Sequence, residues 1–271
     1  MNRLKPALYL LAVAIVASGC GRADGHVGSR KNDHTVTVAR NWPAAEIQEL
    51  RVFEIDGNVS IDAADTDQIT LVAVASGELE LKKGVENHGL FETTVDGDTL
   101  RIGRKERERK NFVDIPFLFG RRDMRINYKL TVPKTVSLAL NTVNGRIATK
   151  GVDGETQAVT VNGTIDVETA GTNELRATTV NGRVRARFTE SFQGARFQTV
   201  NGGVEAFLPQ SASFTVNLSQ VNGDFAATFP LSIHSNPGSR RVSGEVNGGK
   251  HELKIVTMNG DVELAQSGHG L

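Results

Sequence analysis

The chain has 271 residues, long enough to bury a substantial core in one large or two medium domains. Its 31 Lys and Arg balance 31 Asp and Glu, so no net field recruits nucleic acid or drives non-specific adsorption to a membrane, and no nucleic-acid partner is expected. Aromatic residues make up only 6% while glycines number 28, and Val, Thr, Asn and Gly fill the C-terminal half, the chemistry of strands and turns.

In chain order, Arg3 and Lys5 precede an apolar run from Ala7 to Ala17, and the small residues Ala17-Ser18-Gly19 lead into Cys20. That is the order of a secretory signal. The run is too short for a helix that needs about 20 residues to cross roughly 30 Å of hydrocarbon, so a retained transmembrane anchor is the weaker alternative. Residues 17–20 resemble the lipobox of bacterial lipoproteins, with Ala17 where Leu is usual. The resemblance implies that the Cys20 sulfur takes a diacylglyceryl group, that cleavage falls between Gly19 and Cys20, and that the new amino terminus is acylated. At about 0.8 kcal/mol per buried methylene, two or three chains hold a protein to a membrane where one does so only marginally. An ordinary secreted protein with a free thiol is the competing reading. Cys20 is the only cysteine, so it has no disulfide partner. Gly21 in place of an inner-membrane-retaining Asp favours the outer membrane where a cell has two.

Residues 20–35 are polar and Gly-containing, a flexible tether of roughly 20 Å mean reach. The body then spans residues 36–265, with 266–271 as a tail. Thr35 to Ala39 alternates, Leu50 to Ile55 and Val59 to Ile61 flank a turn at Asp56-Gly57-Asn58, and Ile69 to Ala75 and Thr99 to Ile102 continue as strands.

From residue 142 the chain repeats itself. The unit Thr/Gln/Glu-Val/Met-Asn-Gly places Asn144-Gly145, Asn162-Gly163, Asn181-Gly182, Asn201-Gly202, Asn222-Gly223, Asn247-Gly248 and Asn259-Gly260 in a series. The first five asparagines are 18, 19, 20 and 21 residues apart. Two residues after the first five glycines stand Ile147, Ile165, Val184, Val204 and Phe225, the alternation of strands with one buried face.

Asn-Gly also marks type I′ hairpins, so an antiparallel β meander competes with a β-solenoid. A solenoid puts the same corner in every coil and makes Asp166, Arg185 and Glu205 neighbours, as well as Lys150, Glu168 and Arg187. Both series alternate in sign, as adjacent strands about 4.8 Å apart favour. The favoured fold is therefore all-β, a single-stranded β-helix or β-solenoid. Asparagine suits its corners because it tolerates left-handed backbone and bonds locally. Lys250 at an apolar position and the final spacing of 12 predict an irregular cap from Gly249 onward.

The turn Phe53-Glu54-Ile55-Asp56-Gly57-Asn58-Val59, the strand end Leu130-Thr131-Val132-Pro133 and the Val-Asn-Gly ladder together resemble a bacterial family of exported β-strand-repeat proteins with adhesin-like domains, over roughly residues 47–265. That resemblance implies a right-handed β-helix and a cell-envelope location, and it carries over no catalytic residues.

No catalytic residue, cofactor or metal site is expected. Asp96-Gly97-Asp98 reads as a turn and the six histidines as solvated, for no His-Glu-x-x-His pair or calcium loop occurs. Gly268-His269-Gly270 superficially matches pectin-hydrolysing β-helices, but no adjacent Asp pair and no Gly-x-Ser-x-Gly elbow accompanies it.

The least repetitive stretch is an insertion at 104–125. Arg107, Arg109, Arg121 and Arg122 there frame Phe117 and Phe119, a candidate contact for anionic headgroups or a partner surface. A solvated loop packed over one end of the solenoid is the plainer alternative. The expected protein is a non-enzymatic cell-envelope solenoid for adhesion, scaffolding or sensing. Its partners are the membrane, through lipid on Cys20, and an envelope protein or glycan. A carbohydrate-binding or carbohydrate-cleaving β-helix is the second reading, and a purely structural envelope component the third.

Overall fold

The computed structural model describes residues 34–77, 91–103, 124–231 and 241–267. The strands are, in chain order, β1 (His34–Pro43), β2 (Glu49–Phe53), β3 (Val59–Ala64), β4 (Gln68–Gly77), β5 (Glu92–Asp96), β6 (Thr99–Gly103), β7 (Arg125–Pro133), β8 (Ser137–Asn141), β9 (Ile147–Lys150) and β10 (Thr156–Asn162). They continue with β11 (Ile165–Thr169), β12 (Leu175–Asn181), β13 (Val184–Phe188), β14 (Ala195–Asn201), β15 (Val204–Leu208), β16 (Phe214–Asn222), β17 (Phe225–Ala227), β18 (Arg241–Val246), β19 (His251–Asn259) and β20 (Val262–Gln266).

These strands build two sheets of ten. The first runs β1-β4-β7-β3-β9-β11-β13-β15-β20-β17, and the second runs β18-β16-β19-β14-β12-β10-β8-β2-β6-β5. Each coil contributes one strand to each sheet and stacks in parallel on its neighbours, β10 and β11 on β12 and β13, for example. This is a β-solenoid, and the antiparallel meander is excluded for the repeats. Antiparallel pairs occur only toward the ends, where β1 meets β4, β4 meets β7, β5 meets β6 and β18 meets β16.

Most strands turn alternate residues inward, β5 and β17 at the sheet edges being the exceptions. Ile147, Ile165, Val184, Val204 and Val262 form one stacked row in the first sheet, and Leu140, Ala158, Ala177, Phe197 and Ile255 face it from the second. All ten are buried. Toward the C-terminal end the core turns aromatic, with Phe188, Phe192, Phe214 and Phe229 meeting edge to face at centroid distances of 5.0 to 5.7 Å, the geometry the ring quadrupole favours. The register also makes Asp166, Arg185 and Glu205 successive neighbours, and likewise Lys150, Glu168 and Arg187. Arg185 closes an ion pair with Glu205 at 2.7 Å.

Coil order in space departs from order in sequence at both ends. β2 and β3 lie between the coil of β6 and β7 and the coil of β8 and β9, although β6 and β7 come later. At the other end β19 and β20, the last strands made, slide between β14–β15 and β16–β17. The expected irregular cap from Gly249 is therefore corrected. Residues 251–266 form a regular interior coil whose Leu253, Ile255, Val262 and Leu264 are buried, and Lys250 precedes the strand in the turn that feeds it. The stack ends instead on β16, β17 and β18.

Candidate binding surface

The surface is built from one corner repeated along the stack. At the end of each second-sheet strand, Thr142, Thr160, Thr179, Thr199 and Thr257 point inward and are buried. Their hydroxyls donate to the carbonyls of Gly57, Gly145, Gly163, Gly182 and Gly202 in the adjacent coil, at 3.1 to 3.4 Å. At the last coil Gln220 does this work with its amide, 2.9 Å from Gly260 O.

Two residues on, the asparagine side chains hydrogen-bond to one another. Asn222 donates through Nδ2 to Asn259 Oδ1, Asn259 to Asn201, Asn201 to Asn181, Asn181 to Asn162 and Asn162 to Asn144, at 2.8 or 2.9 Å. Asn144 then donates to Asp56 Oδ1 at 2.8 Å. All the amides therefore point the same way, and a carboxylate closes the chain at its acceptor end.

Left-handed backbone is not what selects these residues. Among the described residues Asn247 is the only non-glycine with positive φ, and of the ladder glycines only Gly223 has it. The glycines are needed for closeness instead. A Cβ at Gly145, Gly163 or Gly182 would lie 1.9 Å from the preceding coil's glycine carbonyl oxygen. Asn247-Gly248 is the exception to the series and is corrected as a member of it. At φ 49° and 86° it turns β18 into β19, and Asn247 Nδ2 bonds the carbonyls of Gln210 and Ala212. There the Asn-Gly pair does supply left-handed backbone, and it carries the chain from β18 on one side of β16 to β19 on the other.

Between threonine and asparagine one side chain per coil faces out. Ile55, Val143, Val161, Val180, Val200, Met258 and Val221 form this row in spatial order, with Val161, Val180, Met258 and Val221 exposed. At about 4.8 Å per coil the row is roughly 29 Å long. Exposed Phe53 stands beside its first member. On the first-sheet side of the ladder Arg146 pairs with Asp166 at 2.7 Å and Arg183 with Glu205 at 2.8 Å. The corner is thus an apolar strip bordered by amides and neutralised charge.

The first corner, Glu54-Ile55-Asp56-Gly57, has acids where later coils have threonine and asparagine. Glu54 is fully buried. Its Oε2 accepts from the Tyr128 hydroxyl at 2.9 Å, and its Oε1 from the backbone N–H groups of Ile55 and Asp56 at 2.9 and 3.2 Å. Sequence reasoning missed Glu54 as a site residue; the available signal was its place three residues before Gly57, where the repeats carry threonine.

Cys20 and the candidate contacts Arg107, Arg109, Phe117, Phe119, Arg121 and Arg122 lie outside the described residues. The flanks of their segment are defined. Gly103 ends β6 opposite Phe53, and Ile126 near the start of β7 donates its N–H to Asp56 O at 3.0 Å. The segment thus leaves and rejoins the fold at the corner one coil beyond Asp56. Met124 is buried and Arg125 already belongs to β7. Gly97, at φ 61°, turns the β5–β6 hairpin between Asp96 and Asp98. Among the described residues no group of three His, Cys, Asp or Glu is placed to hold a metal.

Stacked coils with a hydrogen-bonded corner define the class, a β-solenoid repeat protein. The Toastrack DUF4097 family model matches residues 25–265, and the chain belongs to that family. A candidate cell adhesion protein of Clostridium sporogenes shares the fold at 11% identity and a TM-score of 0.51, over 86% of this chain and 100% of the other. Weaker likenesses are a candidate lipid binding protein of Parabacteroides distasonis, at 14% identity, TM-score 0.37 and coverage of 86% and 96%, and a candidate adhesin of Bacteroides fragilis, at 11%, 0.31 and coverage of 84% and 96%. No curated protein matches the sequence.

Proposed function

We propose that this protein is a lipid-anchored, non-enzymatic solenoid of the bacterial cell envelope that presents its repeated corner to an envelope protein. The observation that carries the reading is the apolar row from Ile55 to Val221, with the amide ladder linking its coils. A stacked array suits display, because each coil packs on and fixes its neighbour. The described flanks of the segment that bears Phe117 and Phe119, Gly103 and Ile126, lie beside the first corner of that row. Anchoring rests on Cys20 within its lipobox-like setting, with the outer membrane as the favoured site in a cell with two. The candidate adhesion relative supports the same direction.

A sugar-binding role gains less support. Trp42 and Tyr128, the Trp and Tyr of the body, are both buried and offer no stacking face.

The test is crosslinking in intact cells, followed by identification of neighbours by mass spectrometry. Wild type is compared with a chain lacking residues 104–125 and with Phe117→Ser/Phe119→Ser. A specific protein neighbour lost in both variants supports the reading. A neighbour list unchanged in both, or glycan fragments alone, contradicts it.

A further inference from the structure

Two ten-stranded sheets have four edge strands: β1 and β17 in the first, β18 and β5 in the second. An unpaired edge presents a row of N–H and C=O groups to any extended chain, and folded proteins blunt such edges with shortness, charge, proline or bulges. Three of these four are blunted. β17 is three residues long, β5 has Glu92 and Asp96 at its ends, and β18 carries Arg241 and Glu245 around Gly244.

β1 is different. It runs for ten residues and pairs with β4 without a bulge, from His34 opposite Gly77 to Pro43 opposite Gln68. Thr35-Val36-Thr37-Val38-Ala39 is uncharged and rich in β-branched residues, a strong strand former. The next residue, Arg40, does not guard the edge, for its guanidinium donates to Thr93 Oγ1 and lies 5.2 Å from the Phe91 ring centroid. Pro43 sits at the far end of the strand. Among the described residues β1 is paired with β4 alone.

We infer that β1 pairs antiparallel with β1 of a second copy, joining two first sheets into one continuous sheet across a two-fold axis. The side chains fit this occupant. Val36 and Val38 face the core while Thr35 and Thr37 face away. Pairing centred on Thr37 sets Thr37 against Thr37, Val36 against Val38 and Thr35 against Ala39, so inward residues meet inward residues. Such β-branched and Thr–Thr pairs favour a sheet. The position of the proposed anchor fits as well. This part rests on the anchoring reading: thirteen residues lie between Cys20 and His34, a reach of roughly 20 Å for a flexible chain, which would hold β1 close to the membrane. Two anchored copies then present the same edge at the same height, and confinement raises their effective concentration.

The experiment uses the full lipidated chain in its membrane, with Thr37→Cys compared against Gln157→Cys on the exposed face of the second sheet. Under mild oxidation Thr37→Cys is expected to form a disulfide-linked dimer and Gln157→Cys is not. Thr35→Lys/Thr37→Lys, which sets like charges across the joint, is expected to turn the dimer into a monomer by native mass spectrometry at unchanged Tm. Equal crosslinking at both cysteines, or a monomeric wild type whose mass confirms the lipid, would overturn the inference. The Cys20→Ala background separates it from anchoring. Dimers of soluble Cys20→Ala/Thr37→Cys at raised concentration support the pairing even if the lipid is absent, whereas monomers there at every concentration contradict it.

Discussion

Asn144 Nδ2 donates to Asp56 Oδ1 at 2.8 Å, the single rung of the ladder at which an amide meets a carboxylate. Every amide N–H above it points toward that charge. Asp56→Asn keeps an acceptor oxygen and is expected to cost only a few tenths of a kcal/mol. Asp56→Ala removes it and is expected to cost about 1 kcal/mol, the usual net worth of a hydrogen bond. Urea unfolding of both variants checks the order.

Closeness at the corner glycines sets a second expectation. Gly163→Ala brings a Cβ to 1.9 Å from Gly145 O, which forces two coils apart and is expected to cost about 3 kcal/mol or more. Gly97→Ala meets nothing within 4 Å and strains only its φ of 61°, at about 1 kcal/mol. Equal losses on thermal unfolding would refute the close-approach account.

The same substitution at two threonines is expected to act in opposite directions. Thr179 Oγ1 donates to Gly163 O at 3.1 Å, so Thr179→Val leaves that carbonyl short of a donor and destabilises by about 1 kcal/mol. Thr149 stands in the core row between Ile61 and Val167, its hydroxyl buried without a hydrogen-bond partner among the described residues. Thr149→Val therefore stabilises by roughly 1 kcal/mol. Chemical denaturation of the pair reads the sign directly.

On the second sheet the Arg176 guanidinium, hydrogen-bonded to Glu174, holds that carboxyl below its ordinary value. A carboxyl depressed in the folded state stabilises above its unfolded pKa, and the gain disappears as pH falls through its folded value. Both side chains are more than a third exposed, so the gain is under about 0.5 kcal/mol. Arg176→Gln is expected to move Glu174 back toward the ordinary range in an NMR titration and to flatten stability across that acidic window.

Much of the fold was legible because its signal is local and repeated. The spacing of Asn144, Asn162, Asn181 and Asn201 follows coil length, and the alternation of Asp166, Arg185 and Glu205 follows lateral stacking. The physical cause of the corner was not legible. Asn-Gly reads the same whether it supplies positive φ, as at Asn247-Gly248, or a stacked amide over a close glycine contact, as at Asn162-Gly163. Spatial order was hidden too, because the pairing of Asn259 with both Asn201 and Asn222 depends on contacts distant in sequence. Glu54 and Asp56 escaped notice as the first rung because acids replace the threonine and asparagine that mark the others.

Top-down mass spectrometry of the mature chain from its native membrane tests most directly whether this solenoid is a membrane-held display. The account predicts a chain beginning at Cys20 whose sulfur carries a diacylglyceryl group. A chain that keeps residues 1–19, or begins elsewhere with an unmodified Cys20, would contradict it.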